Sequence, residues 1–389
     1  MPAVMQIEPG AVANLTLRLV AQRSLSGQEG EVAALVAGEM GRLGFDVGTD
    51  ALGNIIGSMG SGHPIVLVDS HLDTVGVNDP EAWTYDPAGQ RVGNRIYGRG
   101  SMDMKGPLAA SIHGVASLAG NMERGTVVVS ASVAEEMIEG VALEAIAGRV
   151  SPDFVVICEP SSLRLARGQR GRAEIVIETR GSATHSSRPE LGVNAAEAML
   201  DVAKELRRFQ PAVHPVLGSG ILVLTDILSQ PYPANSVVPN TCLATYDRRT
   251  LPGETADSVL GPIREVVASV LASSKAKGEA RMAVDDFASY SGARIQATNF
   301  APAWFYGDDA EIVRRSIAGL TGARLDAVLS HYAFATNGSG TAGRLGIPTI
   351  GFGPGNEELA HRSDEHIEIA DLAAAARGYA GIVRSLLEA

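Results

Sequence analysis

Cysteine is nearly absent from this chain: two occur in 389 residues, Cys158 and Cys242. Two thiols in unrelated contexts exclude a disulfide-built scaffold, and Cys158, closing an apolar run, reads as a small core residue. Cations are the minority, 32 Lys and Arg against 44 Asp and Glu, for a net charge of −12. That balance argues against a nucleic-acid partner, which favours a basic face. Charged residues make up only 20% of the chain, too few for a disordered polymer, while 45% hydrophobic residues supply a large core. No run of 18 apolar residues occurs, and Met1-Pro2-Ala3-Val4-Met5-Gln6-Ile7-Glu8 lacks a basic segment followed by an apolar stretch. No membrane partner is therefore expected, and the cytoplasm is the expected location.

What the chain does have is length and alternation. Its length exceeds the usual single domain, so two domains are expected. Ser26-Gly27-Gln28-Glu29 has capping-box spacing and predicts a helix through Arg42. Strands follow over 54–59 and 64–70, a helix over 106–119, a strand over 126–133, a helix over 140–148 and a strand over 153–159. This is a doubly wound α/β pattern. From about Arg172 the pattern changes to half-exposed strands and two long helices, an α+β set inserted in the first domain. The α/β pattern resumes after Gly292 and closes on a helix over 363–387, with Asp364 and Glu365 in its first turn. The expected division is 1–171 and 293–389 for the α/β domain, with 172–292 inserted.

Acidic and histidine residues stand at the ends of these hydrophobic runs. Pro64–Ser70 reads as a fully buried strand, with His71 and Asp73 two apart at its C-terminal end. Asp103 lies in a loop flanked by Gly100 and Gly106, free enough to let a carboxylate bridge two ions. Glu135 and Glu136 follow the strand ending at Val133, Glu159 closes the next, and His361 lies far downstream. Two imidazoles and several carboxylates at strand ends suit a pair of zinc-like ions, and the ends of strands in open α/β sheets are where sites form. Asp73 suits a role accepting the second ring N–H of His71. The adjacent carboxylates Glu135 and Glu136 point in different directions, so one can bind metal while the other handles protons.

These motifs resemble the M20 metallopeptidase family, which includes acetylornithine deacetylases, succinyl-diaminopimelate desuccinylases, carboxypeptidase G2 and aminoacylases. Ser70-His71-Leu72-Asp73-Thr74-Val75 is similar to its first signature, Gly98–Gly106 to its second and Glu135-Glu136 to its third. Arg167–Arg172 and Gly346–Gly355 resemble most the branch of selenium-metabolism-linked hydrolases. The resemblance covers nearly the whole chain. It implies a zinc-hydrolase catalytic domain with an inserted lid and dimerisation domain, and two Zn2+ ions (or Co2+ or Mn2+). By position, His71, Asp103 and Glu159 would bind one ion, and Asp103, Glu136 and His361 the other. Glu135 would be the general base and acid, with Asp73 orienting His71.

In the inserted domain, Gly181–Ser187 resembles the segment whose histidine reaches a partner subunit's site, which makes His185 an oxyanion donor and the chain a homodimer. Asn235 resembles a substrate-touching lid asparagine, and Arg249 the arginine that clamps a substrate carboxylate, with Arg248 on the other strand face. Asn337–Thr341 resembles a Gly-rich substrate loop, offering the N–H groups of Gly338 and Ser339 to an anion. The sequence departs from the family pattern at Ala134, Met137 and Ala342, none of them a ligand. The leading expectation is hydrolysis of the amide of a small N-acyl amino acid. A di- or aminopeptidase and a non-catalytic metal-binding scaffold are the alternatives, and an intact Glu135 counts against the scaffold.

Overall fold

The computed structural model describes residues 7–388; Met1–Gln6, part of the segment read for a targeting signal, lie outside the described residues. The chain forms two compact units. Of the described residues, the first comprises 7–169, 286–297 and 304–388, and the second 170–285 and 298–303. The inserted stretch thus differs from the expected 172–292: residues 286–297 belong to the first unit. Tyr290 anchors them there, donating its hydroxyl to the Gly53 carbonyl at 2.7 Å. Residues 298–303 return to the second unit, where Phe300 and Ala301 pair with Ala173 and Arg172.

The first unit is built on a nine-stranded mixed sheet. Its centre is parallel: Ile65–His71 lies between Gly125–Ser132 and Phe154–Ile157, and Thr349–Gly351 adds beyond. The strand Ile55–Ser61 joins antiparallel on the other side. Strand alternation sorts the side chains of Ile65–His71. Val66 and Val68 join the core facing the helices Gly106–Ala116 and Ile369–Leu387. Leu67 points the other way, with Val128, Val155 and Ile157, onto the helix Val141–Val150. Each such side chain, wholly withdrawn from water, contributes about 1.5–3 kcal/mol. This two-sided burial fixes the register of the strands, and hence where their ends fall.

The second unit is a sheet ordered Ile221–Gln230, Thr241–Thr250, Gly171–Arg180, Lys277–Met282. One face is apolar: Ala173, Ile175, Ile177, Cys242, Ala244 and Tyr246 pack on the helices Ala195–Leu206 and Ala256–Leu271. Asn194 caps the first helix through its side-chain oxygen, and Thr255 with Ser258 forms a capping box on the second.

Two expected helix starts are corrected. The helix of 30–42 has no side-chain cap; the Ser26 hydroxyl instead donates to Asp73 Oδ2 at 2.6 Å. The final helix begins at Ile369, not Ser363. Asp364 and Glu365 therefore do not serve its dipole. Glu365 is fully buried and is used elsewhere. Among the described residues, no helix is long and apolar enough to cross a membrane.

Candidate metal centre and active site

His71 ends the central strand and is buried. Its Nδ1 lies 2.8 Å from the main-chain oxygen of Asp73, so that ring nitrogen carries the proton and Nε2 faces the cluster as a donor to metal. Here the structure corrects the expected partner: the Asp73 carbonyl takes the ring N–H, while its carboxylate stands farther off, at 3.5 Å. That carboxylate has another task. Oδ1 accepts the Glu135 N–H at 3.1 Å, and Oδ2 accepts the Glu136 N–H at 3.1 Å together with Ser26 Oγ. Asp73 thus orients His71 through its backbone and the glutamate pair through its side chain.

The glutamate pair leaves the sheet through Ala134, whose φ is +59°. Its N–H is held by Glu29 Oε1 at 3.1 Å. Glu29 is fully buried, and burial, reinforced by the Asp73 charge, pushes its carboxyl up to about 7. Neither Ser26 nor Glu29 was identified as a site residue from sequence. Both had been assigned to a helix start, and only the fold brings them beside Asp73.

Asp103 sits in a π-type turn, Ser101–Lys105, before the helix that starts at Gly106. Glu365 supports this turn: its Oε1 accepts the N–H groups of Met102 at 3.0 Å and Asp103 at 3.1 Å, and its Oε2 pairs with buried Arg99 at 2.5 Å. Glu365 is therefore a positioning residue that sequence patterning placed in the wrong element. Glu159 follows the strand Phe154–Ile157; its carbonyl accepts the Tyr332 hydroxyl at 2.9 Å and is approached closely by Gly353. A β-carbon at Gly353 would meet that oxygen at 2.3 Å, so only glycine fits there.

These elements bring the expected ligands together. His71 Nε2 lies 3.2 Å from Asp103 Oδ1 and 3.6 Å from Glu159 Oε1. On the other side, His361 Nε2 lies 3.4 Å from Asp103 Oδ2 and 3.1 Å from Glu136 Oε2. The two oxygens of Asp103 thus face two different imidazoles, the disposition of a bridging carboxylate. Glu135 Oε2 is 4.0 Å from His71 Nε2. Ligand atoms of His71, Asp103 and Glu136, and of His71, Glu135 and Glu159, all lie within 4.8 Å of one another.

The electrostatics agree with a cation site. Burial pushes Glu159 up to about 8 and Glu135 well above the usual carboxylate range, and neighbouring carboxylates add to both shifts. For His71, burial opposes charge, yet Asp103, Asp73 and the glutamates hold the imidazole well above its ordinary value. Asp103 and Glu136 raise His361 to about 10. Crowded carboxylates drawing protons onto both histidines are a site short of positive charge, which divalent ions would supply. Nitrogen and oxygen donors with no thiolate fit zinc, cobalt or manganese.

Of the remaining expected residues, two belong to the first unit. Gly338 and Ser339 are buried. Their loop is not an open anion cradle: the Gly338 N–H donates to Thr336 Oγ1, the Ser339 N–H to the Thr336 carbonyl and the Gly340 N–H to the Asn337 carbonyl. Asn337 instead ties this loop to the sheet, donating to Asp69 and Ser132 and accepting from the Gly140 N–H.

His185, Asn235 and Arg249 belong to the second unit. His185 is exposed, and its Nδ1 accepts the Ser187 N–H at 3.1 Å, which leaves Nε2 to carry the ring proton. Backbone bonds from Ser186 to Ser236 and from Val238 to Thr184 hold the His185 and Asn235 loops side by side. Arg249 pairs with Asp247 at 2.8 Å and stays partly exposed. Arg248, on the opposite strand face, is buried and pairs with Glu254 at 2.6 Å. Its guanidinium is thus engaged within the second unit.

The chain is similar to known proteins along most of its length. The model of peptidase family M20/M25/M40 covers residues 67–385. The chain is 34% identical over 378 residues, 95% of its own length and 93% of the relative's, to the uncharacterized protein YgeY of Escherichia coli K12. It is 26% identical over 359 residues to a probable succinyl-diaminopimelate desuccinylase of Staphylococcus epidermidis, covering 82% of each chain. Among solved structures, the YXEP protein of Bacillus subtilis, described as a dinuclear metal binding peptidase, superposes with a TM-score of 0.73 at 14% identity, covering 98% of each chain. The chain belongs to the M20 family of metal-dependent hydrolases, whose deacylases and peptidases act on amide bonds. Its mixed α/β fold is the one these peptidases share.

Proposed function

We propose that the protein is a dinuclear metal-dependent deacylase, hydrolysing the amide of a small N-acyl amino acid or a related carboxylate-bearing substrate. The observation that carries this reading is the division of labour within the glutamate pair. Glu136 faces His361 across 3.1 Å, while buried Glu135 stands farther from its nearest imidazole, 4.0 Å from His71 Nε2. Two divalent ions held by His71, Asp103, Glu136, Glu159 and His361 would supply Lewis acidity to an amide carbonyl and a water molecule. Glu135 takes a proton from the attacking water at its carboxylate and returns it to the leaving amine. Its burial, which favours the protonated form, suits the second half of that task.

Substrate recognition is assigned to the second unit. Arg249 offers a planar fork to a carboxylate, a geometry lysine does not reproduce. His185, with its proton on Nε2, donates to the carbonyl oxygen as charge develops there, and Asn235 stands in the adjoining loop. His185 and Arg249 lie at opposite ends of one sheet. The strand carrying Arg249 runs back to Thr241, which pairs with Arg180, and His185 lies beyond Arg180. Eight residue steps along the strand separate Arg249 from Thr241, about 26 Å at ~3.3 Å each. One small substrate does not reach both ends, so the reading requires His185 of a second copy. The edge strand Ile221–Gln230 carries exposed Val223, Leu224, Ile227 and Leu228, an unpaired apolar edge that suits the pairing of two chains. Two unpaired cysteines suit the reducing cytoplasm.

The test is a substrate panel with metal-reconstituted enzyme, read as released amine. N-acyl amino acids with a free carboxylate are expected to be cleaved, and their methyl esters to be poor substrates. Turnover confined to peptides with a free α-amine would replace this reading with the peptidase one. No turnover by fully metallated protein would favour a binding scaffold.

A further inference from the structure

Beside the metal centre, within the first unit, lies a cavity of about 370 Å³ that the hydrolytic reading does not use. In a chain of net charge −12, its lining includes three cations, Arg23, Arg99 and Lys105, and no aspartate or glutamate. Arg99 and Lys105 are more than nine-tenths buried. Arg99 is neutralised by Glu365 and lies over the Trp83 ring, but burying a cation still costs several kcal/mol unless a full set of acceptors meets its donors. The acceptors supplied are incomplete. Arg99 gives Nη1 to Glu365, but its buried Nε finds no acceptor within the chain. Lys105 Nζ donates to the Gln22 carbonyl at 2.6 Å, one bond for a group with three donors.

Apart from Gln22 and Thr74, the rest of the lining is apolar, with Val20, Leu25, Val75, Val77 and Pro87 its larger side chains. A cationic floor under aliphatic walls recognises one kind of ligand well: an aliphatic chain ending in an anion. A bare inorganic anion leaves the walls wet, and a neutral alcohol brings no charge to the spare donors, Arg99 Nε and Lys105 Nζ. Arg99 also holds Glu365, whose other oxygen accepts from Met102 and Asp103, so the cavity floor is continuous with the turn that presents the bridging carboxylate.

We propose that this cavity is a binding site for small aliphatic monocarboxylates, separate from the metal centre, with the carboxylate on Arg99 and Lys105 and the chain against the valines. The proposal does not rest on the hydrolytic reading, because it is read by binding alone. Ala88 lines the cavity and is exposed at its mouth, so Ala88→Asp places an anion there without disturbing the core. In calorimetric titration of the metal-loaded protein, butyrate is expected to bind saturably. Butanol and inorganic phosphate are each expected to bind at least about tenfold more weakly, and Ala88→Asp to weaken butyrate by at least about tenfold through charge repulsion. Turnover by Ala88→Asp without butyrate is expected to stay at the wild-type rate. Butanol binding as well as butyrate would remove the ionic contact, and phosphate doing so would remove the apolar one. Butyrate binding unchanged in Ala88→Asp would place it elsewhere, the metal ions included, and absence of binding would overturn the site outright.

Discussion

Asp73 shows how much of the centre's geometry rests on one side chain that need not touch an ion. Its backbone carbonyl sets the tautomer of His71, and its carboxylate holds the N–H groups of Glu135 and Glu136. Asp73→Ala leaves the His71 contact, which is main chain, but frees two amides in a dry environment, at about 1–3 kcal/mol for each left unsatisfied. Metal affinity is therefore expected to fall by about 10–100-fold, the scale for loss of a ligand-supporting group, with Asp73→Asn recovering part of it. Metal titration of the stripped variants reads this directly. Unchanged affinity in Asp73→Ala would mean that the glutamate pair is held by the turn at Ala134 and Glu29 instead. The candidate ligands were legible in the sequence because His, Asp and Glu at strand ends carry their chemistry in their identity. Ser26, Glu29 and Glu365 were not, since their part depends on contacts across 47, 105 and 262 residues of chain.

At the scale of elements, periodicity located the buried strands well because two-sided burial leaves continuous apolar runs. Short edge strands such as Asp46–Thr49 and Trp304–Phe305 carry no such signal and were missed. The acidic pair Asp364-Glu365 imitated a helix N-terminus, yet the backbone at Asp364 has a φ of +56° and the helix starts later. The helix Gly30–Arg42 shows a charge device that titration can read. Glu39 is nearly buried and accepts from Arg42 at 2.5 Å and from Arg18 at 3.1 Å. Hydrogen bonds from Arg42 and Arg18 hold its carboxyl below the usual range. A carboxylate with a depressed folded pKa contributes stability above its unfolded value and loses that contribution as pH falls through the folded one. Glu39→Gln is therefore expected to be destabilised near neutrality and to converge on wild type in acid. Urea unfolding at about pH 7 and about pH 4 checks the sign; a difference that grows in acid would contradict it.

At the scale of the whole molecule, the proposed roles of His185 and Arg249, at opposite ends of one sheet, would make activity a property of two chains. Mixing inactive His185→Ala with inactive Glu135→Gln subunits is expected to restore one working site per heterodimer. No recovery despite demonstrated exchange would confine His185 to its own chain or remove its role. Metal binding and proton transfer are assigned to different carboxylates, and metal content measured alongside amine release in wild type and Glu135→Gln tests that separation most directly. Two ions per chain are predicted in both proteins, with amine released by wild type and a rate at least about 100-fold lower in the variant, the scale for loss of a general base. Release by fully metallated Glu135→Gln at the wild-type rate, or loss of an ion with the glutamate, would contradict it.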